Sequence, residues 1–148
     1  MPPDLIQCLR ERHIQPSAQR LAIAEFVLAA AAHPSADEVL AAVRQRRPQL
    51  SRATVYNTLH LFVERGLLRE LVLADGKRVY DPKLEPHHHF VDDASGAIED
   101  VPWEALRVLD VERLPGLDVR EYQVVLRGRR KGLRRGARSR THAPPTEE

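Results

Sequence analysis

The sequence predicts an α+β fold in which helices come first and strands follow. Three observations carry this. Ser17, Ser35 and Ser51 each stand just before a stretch with helical apolar spacing, Asp75-Gly76 separates two short apolar runs, and a strand-like stretch carries His87, His88 and His89 in succession.

Leu5 to Arg12 reads as a first helix. Ser17 caps a second that runs to about Ala30, with Leu21, Ala24 and Leu28 on one face, Ile23 and Val27 flanking them, and Pro16 and Pro34 outside its ends. Ser35 and Glu38 have capping-box spacing, in which each side chain satisfies a backbone N–H left free at a helix start. Val39, Leu40 and Val43 then form the buried stripe of the third helix, and Pro48 ends it.

Ser51 caps the fourth helix, Arg52 to Arg65, and Gly66 suits the left-handed conformation after a helix end. Val55, Leu59 and Phe62 make its core stripe, whereas Arg52, Tyr56, Asn57, His60 and Glu64 fall elsewhere, with polar groups concentrated near the N-terminal end. That end suits a major groove: Arg and Asn bond base edges, Tyr and Thr offer hydroxyls and apolar contact, and Ser51 with the helix N-terminus suits a phosphate. Leu68 to Leu73 and Arg78 to Tyr80 are strands joined by the Asp75-Gly76 turn. Helices followed by a hairpin describe a winged helix, with Lys77 and Arg78 near the turn approaching phosphates or the minor groove. A polar helix face alone is ordinarily a solvated surface, so the DNA reading rests on the order of the elements.

The 148 residues, 43% of them hydrophobic, suffice for one ordinary domain or two small ones. Cys8 is the single cysteine, which excludes an intramolecular disulfide and any CxxC zinc site and suits a reducing cytoplasm; Cys8 itself is expected to be a small buried apolar residue. No apolar run suggests a membrane span or signal peptide. Lys and Arg against Asp and Glu count 11 to 8 over residues 1–80, 4 to 11 over 81–126, and 8 to 2 from Arg127 onward. This basic, acidic, basic order suits DNA, then metal, then DNA again, although ordinary surface variation also produces such blocks.

Side chains alternate along a strand, so His87 and His89 converge while His88 faces away. With Asp81 and Asp100 on either side, two imidazoles plus carboxylates suit Fe(II), Mn(II) or Zn(II). A bare His-x-His in an average protein is more often a solvated turn, here after Pro86, or a pair satisfied by backbone carbonyls.

The stretches Gln19-Arg20, His33-Pro34-Ser35-Ala36-Asp37-Glu38, Ser51-Arg52-Ala53-Thr54-Val55-Tyr56-Asn57-Thr58-Leu59, Gly66-Leu67 and His87-His88-His89 resemble those of the ferric uptake regulator superfamily, from about Ile14 to Lys131. The resemblance implies a homodimeric transcription factor, with a winged helix over residues 1–80, a hinge at about 81–86 and a small α/β dimerisation and metal-sensing domain over 87–131. Its operators would be A·T-rich inverted repeats in double-stranded DNA, contacted by Arg20, Ser51, Arg52, Thr54, Tyr56, Asn57, Lys77 and Arg78. The peroxide-sensing branch binds one regulatory metal per subunit, Fe(II) or Mn(II), with Zn(II) a substitute in vitro. The positions that match its ligands are His33, Asp81, His87, His89 and Asp100, and with Fe(II) the resemblance implies that His33 and His87 are the oxidation-sensitive ligands.

Departures from the family pattern are equally specific. The positions of the usual CxxC pairs include Asp92, Ser95, Arg127 and Arg130, so a structural zinc held by four cysteines is excluded. Dimerisation would then rest on apolar strands near Phe90 and Ile98 and on an alternating strand from Val119 to Leu126. A second family metal site is also lost, its other positions being Pro86, Arg107 and Glu121, which leaves His88 without evident partners. The triple histidine and missing cysteines are similar to two subgroups, the haem-responsive iron response regulators and a cysteine-poor set of peroxide regulators. Haem would give His88 a role as axial ligand, but Cys8 is followed by Leu9 and not by the proline of the usual haem motif.

Residues 132–148 form a basic tail, expected to be disordered and to add salt-sensitive DNA affinity or only solubility. Two other function classes compete: a non-haem iron enzyme, which needs a substrate pocket and leaves the winged helix unexplained, and a metal store, which needs several ions per chain. The sequence shows no nucleophile and base pair, Gly-rich phosphate loop or HExxH motif.

Overall fold

Each of the four helices begins where a side-chain oxygen accepts hydrogen bonds from the free N–H groups of the first turn. The computed structural model describes residues 4–30 and 32–132, and within them α1 is Leu5–Glu11, α2 Ala18–Ala29, α3 Ala36–Arg44 and α4 Arg52–Glu64. Asp4 caps α1, and Ser17, Ser35 and Ser51 accept from the Arg20, Glu38 and Thr54 N–H groups. The capping box differs from expectation in one bond. The Ser35 hydroxyl donates to the Glu38 carboxylate at 3.2 Å. The serine backbone is instead engaged with the strand Arg78–Asp81, through a bridge pairing Ser35 with Val79.

Leu9, Ile23, Val27, Val39, Val55, Leu59 and Phe62 are fully buried in one apolar core that extends to Tyr80. Burying each such side chain stabilises the fold by roughly 1.5–3 kcal/mol at most. The face of α2 is rotated from the predicted one. Ile23, Ala24 and Val27 are buried, while Leu21 and Leu28 pack at the margin, because α2 meets both α3 and α4. Cys8 is half-buried and not enclosed as the sequence suggests, whereas its neighbour Leu9 is fully buried.

Gly66 takes a φ of +72° after α4, as its position predicts. Strands β1 (Arg69–Val72) and β2 (Arg78–Asp81) pair antiparallel with Arg69 opposite Asp81, and Gly76 at φ +81° turns the hairpin. A second sheet has the order β4-β3-β5, formed by β3 (His87–Asp92), β4 (Ile98–Pro102) and β5 (Val125–Gly128). The fold is therefore α+β, a winged helix followed by a small sheet.

The long strand predicted over Val119 to Leu126 is not formed. Only Val125–Gly128 pairs, parallel to β3, with His89 opposite Val125. Continuing that register backward would set residues 121–123 against 85–87, where Pro86 has no N–H to give. Two single-turn 3-10 helices, Trp103–Ala105 and Val111–Arg113, occupy the connection between β4 and β5. The basic tail lies almost wholly outside the described residues, and no helix among those residues is long and apolar enough to cross a membrane.

Candidate metal centre

Two register relations assemble the site. The Ser35–Val79 bridge is antiparallel, and Tyr80 N–H donates to the Pro34 carbonyl at 2.9 Å, so the backbone at His33 runs past Asp81 at the end of β2. On the other side, His89 lies directly opposite Asp100 across β3 and β4. The two-residue period puts His87 on the same face.

His33, Asp81, His87, His89 and Asp100 each bring one ligand atom into a group whose members all lie within 4.8 Å of one another. Ligands on opposite sides of a first-row ion stand about 4.0–4.4 Å apart, so a contraction of a few tenths of an ångström closes this set around one ion. Asp81 Oδ2 lies 3.0 Å from His33 Nε2, 2.6 Å from His87 Nε2 and 3.2 Å from His89 Nε2. Asp100 Oδ1 lies 2.9, 3.5 and 3.9 Å from the same three nitrogens. The histidine and Asp81 side chains are at most 5% exposed, whereas Asp100 is 35% exposed and marks the open side.

Hydrogen bonding fixes one ring. His87 Nδ1 lies 2.6 Å from the Glu85 carbonyl, which only accepts, so Nδ1 carries the proton. A neutral His87 therefore points its Nε2 lone pair at the Asp81 carboxylate, a repulsive contact unless a proton or a metal cation lies between them. Burial pushes the Asp81 carboxyl up, but hydrogen bonds from His33 and His89, from the Lys83 N–H and, when both its ring nitrogens carry protons, from His87 hold it well below the usual carboxylate range. Burial lowers the His33 pKa, yet its contacts with Asp81 and Asp100 outweigh this and raise it above 6.5. Two carboxylates and three neutral imidazoles carry a charge of −2, which a divalent cation balances. The oxygen and nitrogen donors suit Fe(II), Mn(II) or Zn(II).

His88 occupies the opposite face and, contrary to the sequence reading, has partners. Its Nδ1 accepts the Val124 N–H at 3.0 Å, and its ring stacks on Trp103 with centroids 4.7 Å apart and planes 15° from parallel. Tyr122 tilts against Trp103 at 4.9 Å. Burial and the neighbouring His87 and His89 lower the His88 pKa. These contacts come from residues distant in sequence, and no spacing rule signals them.

Of the residues expected to face DNA, Tyr56, Asn57, Lys77 and Arg78 line one groove between α3, α4 and the hairpin, and Arg20, Thr54 and Asn57 line another. Arg52 and Tyr56, one turn apart on α4, both bond Asp37 of α3, a partner the sequence reading missed although it lies inside the quoted His33–Glu38 stretch. Ser51 Oγ caps α4 and contacts Thr54 Oγ1 at 2.8 Å, and Asn57 is exposed. Arg20 donates to the Gln15 carbonyl, Arg78 pairs with Glu70 at 3.1 Å, and Lys77 stands 3.6 Å from Glu38.

A model of the ferric uptake regulator family matches residues 11–126. The chain is 34% identical over 111 residues to the peroxide operon regulator of Bacillus subtilis, covering 75% of each chain. It is equally identical over 111 residues to the peroxide-responsive repressor of Staphylococcus saprophyticus, covering 75% of this chain and 74% of that one. Among solved structures, the Campylobacter jejuni peroxide stress regulator is similar with a TM-score of 0.63 and 28% identity, over 85% of this chain and 96% of that one. The iron-containing ferric uptake regulator of Francisella tularensis shares the fold, with a TM-score of 0.67 and 23% identity over 80% of this chain and 92% of that one. The chain therefore belongs to the ferric uptake regulator family of metal-dependent DNA-binding transcription regulators, and it is a regulator and not an enzyme.

Proposed function

We propose that this protein is a homodimeric repressor that holds one Fe(II) or Mn(II) per subunit through His33, Asp81, His87, His89 and Asp100, and that it senses peroxide through oxidation of a ligand histidine. The observation that carries the reading is the convergence of five oxygen and nitrogen atoms, with the His87 tautomer set by the Glu85 carbonyl so that Nε2 is free to bind metal. Similarity to peroxide regulators of B. subtilis and S. saprophyticus supports the choice of signal.

His33 and Asp81 belong to the winged-helix side, residues 1–80 with the hinge at 81–86, and the other three ligands belong to residues 87–131. Drawing them together fixes the angle of each winged helix in a dimer, and half-site spacing converts angle into affinity. The shift in population is limited by the difference in metal affinity between the two arrangements. Fe(II) held by these residues would supply the redox chemistry that activates peroxide, with one peroxide oxygen entering a ligand imidazole as the ring loses two electrons and the other leaving as water. Oxidation of the His33 or His87 imidazole would remove one neutral nitrogen donor from the five converging ligands and so weaken metal binding. The two halves then separate and the operator is released.

Arg20, Ser51, Arg52, Thr54, Tyr56, Asn57, Lys77 and Arg78 form the proposed DNA-facing set, reading A·T-rich inverted repeats. The second copy packs on the small sheet and on the connection between β4 and β5, where Leu109, Leu114 and Leu117 are exposed, with no four-cysteine zinc involved. The haem reading is disfavoured, because His88 is buried against Trp103 and its Nδ1 is engaged.

Peptide mass spectrometry on anaerobically Fe(II)-loaded protein after brief peroxide exposure, with a Mn(II)-loaded control, tests the reading. Oxygen added at His33 or His87 only with iron is the expected result. Unmodified histidines at confirmed iron occupancy would leave a gauge of metal supply, not a peroxide sensor.

A further inference from the structure

The contact between α3 and the start of α4 has a geometry that a casual surface ion pair would not need. Arg52 Nη1 and the Tyr56 hydroxyl, one helical turn apart, both reach the same atom, Asp37 Oδ1, the hydroxyl at 3.0 Å. The Arg52 guanidinium also lies 6.0 Å from the centroid of the Tyr56 ring. All of this is on an open face: Arg52 and Asp37 side chains are each 63% exposed, and Tyr56 remains accessible.

From this we infer that Asp37 is a positioning residue that sets what the N-terminal end of α4 reads in DNA. The inference rests on the proposal that this end of α4 enters the major groove. Arg52 has five N–H donors and gives Asp37 one of its nitrogens, so the rest of the fork stays free in a fixed orientation, as bidentate recognition of guanine O6 and N7 requires. Tyr56 is affected differently. Its only proton is committed to Asp37, so toward DNA it is an acceptor with an apolar ring, suited to the amino groups of adenine or cytosine and the methyl of thymine. Without Asp37 the same hydroxyl either donates or accepts, and the arginine is free to wander to the nearest phosphate. Asp37 thus trades affinity for discrimination, since a carboxylate near the phosphate backbone also repels it.

The test uses the Mn(II)-loaded full-length protein, selection of binding sites from a randomised duplex library, and affinities for the selected duplex and a scrambled one. Asp37→Asn keeps the shape but removes the charge. It is expected to lower the ratio of selected to scrambled affinity by roughly tenfold, the scale of one bidentate contact, while binding to the scrambled duplex stays equal or tightens. The base positions that relax should be those relaxed by Arg52→Ala and Tyr56→Phe, and Arg52→Ala should make the further Asp37→Asn change silent at its position. An unchanged ratio overturns the inference. So does tighter binding to the selected duplex with an unchanged base profile, because Asp37 would then be masking the helix and not orienting it. If Arg52→Ala and Tyr56→Phe leave the selected duplex bound as before, the placement of α4 in the groove fails, and the inference with it. If they weaken it while Asp37→Asn alters nothing, only the inference fails.

Discussion

The two halves of this molecule are buried for opposite reasons. Below residue 81 the interior is apolar, with Leu9, Ile23, Val27, Val39, Val55, Leu59 and Phe62 fully enclosed by the helices and the hairpin. In the small sheet the fully enclosed side chains are polar, His87, His88 and His89, while Leu109 and Leu117 are 73% and 63% exposed. The first half is held mainly by burial of apolar side chains. The second has spent its interior on imidazoles, so its order depends on a proton, a metal or a second copy of the chain.

The largest contrast should appear in the apolar core. Phe62→Ala is expected to cost about 3–5 kcal/mol of stability by denaturant unfolding, whether or not metal is present. Asp81→Ala should act the other way round, leaving the winged helix folded and weakening Mn(II) binding at least about 100-fold by chelator competition, beyond the usual loss for an outer-shell partner. Equal loss of helical structure in both variants would break the comparison, by showing that the histidine site supports the helical core.

His88 sharpens the boundary between binding and packing. His88→Phe should keep one ion per chain by calorimetric titration yet cost roughly 1–3 kcal/mol of stability, since the Val124 N–H loses its acceptor. A loss of metal stoichiometry would return His88 to the ligand set.

The smallest expected effect is that of pH. His33 has a pKa raised above 6.5, so in the metal-free protein its contribution to stability is complete below 6.5 and declines as pH rises through the raised value. Asp81, lowered from 3.8, contributes above that value and loses its effect only as pH falls toward its depressed pKa. Metal affinity moves against the His33 term. Below the raised pKa a proton must leave His33, so affinity should rise about tenfold per pH unit and then level off. A flat profile from pH 6 upward in calorimetry would show that His33 is not displaced from its proton by metal.

The sequence makes the helical half legible almost residue by residue, because caps and apolar stripes are local: Ser17, Ser35 and Ser51 each stand as predicted. The five candidate ligands are also legible, from the alternation of His87 and His89 and from the family resemblance, and the structure brings one ligand atom from each within 4.8 Å of the others. What escaped is non-local or depends on hydrogen bonds left over. The strand expected from Val119 fails because its pairing partner would be Pro86. Trp103 reaches His88 from the end of the antiparallel strand β4 and Tyr122 from the approach to the parallel strand β5, two non-local pairings that local pattern does not encode. Asp37 was visible only as one letter of a motif, since nothing in helical periodicity says that two side chains of the next helix will share its oxygen.

The central claim, that metal at the histidine and aspartate cluster governs DNA binding, is most directly tested by a paired Mn(II) titration. Binding to a duplex recovered from a randomised library would be followed for the unaltered protein and for His89→Ala. The account predicts tightening that saturates at one ion per chain in the former, and no metal response in a folded, dimeric His89→Ala. An undiminished response in the variant would contradict it.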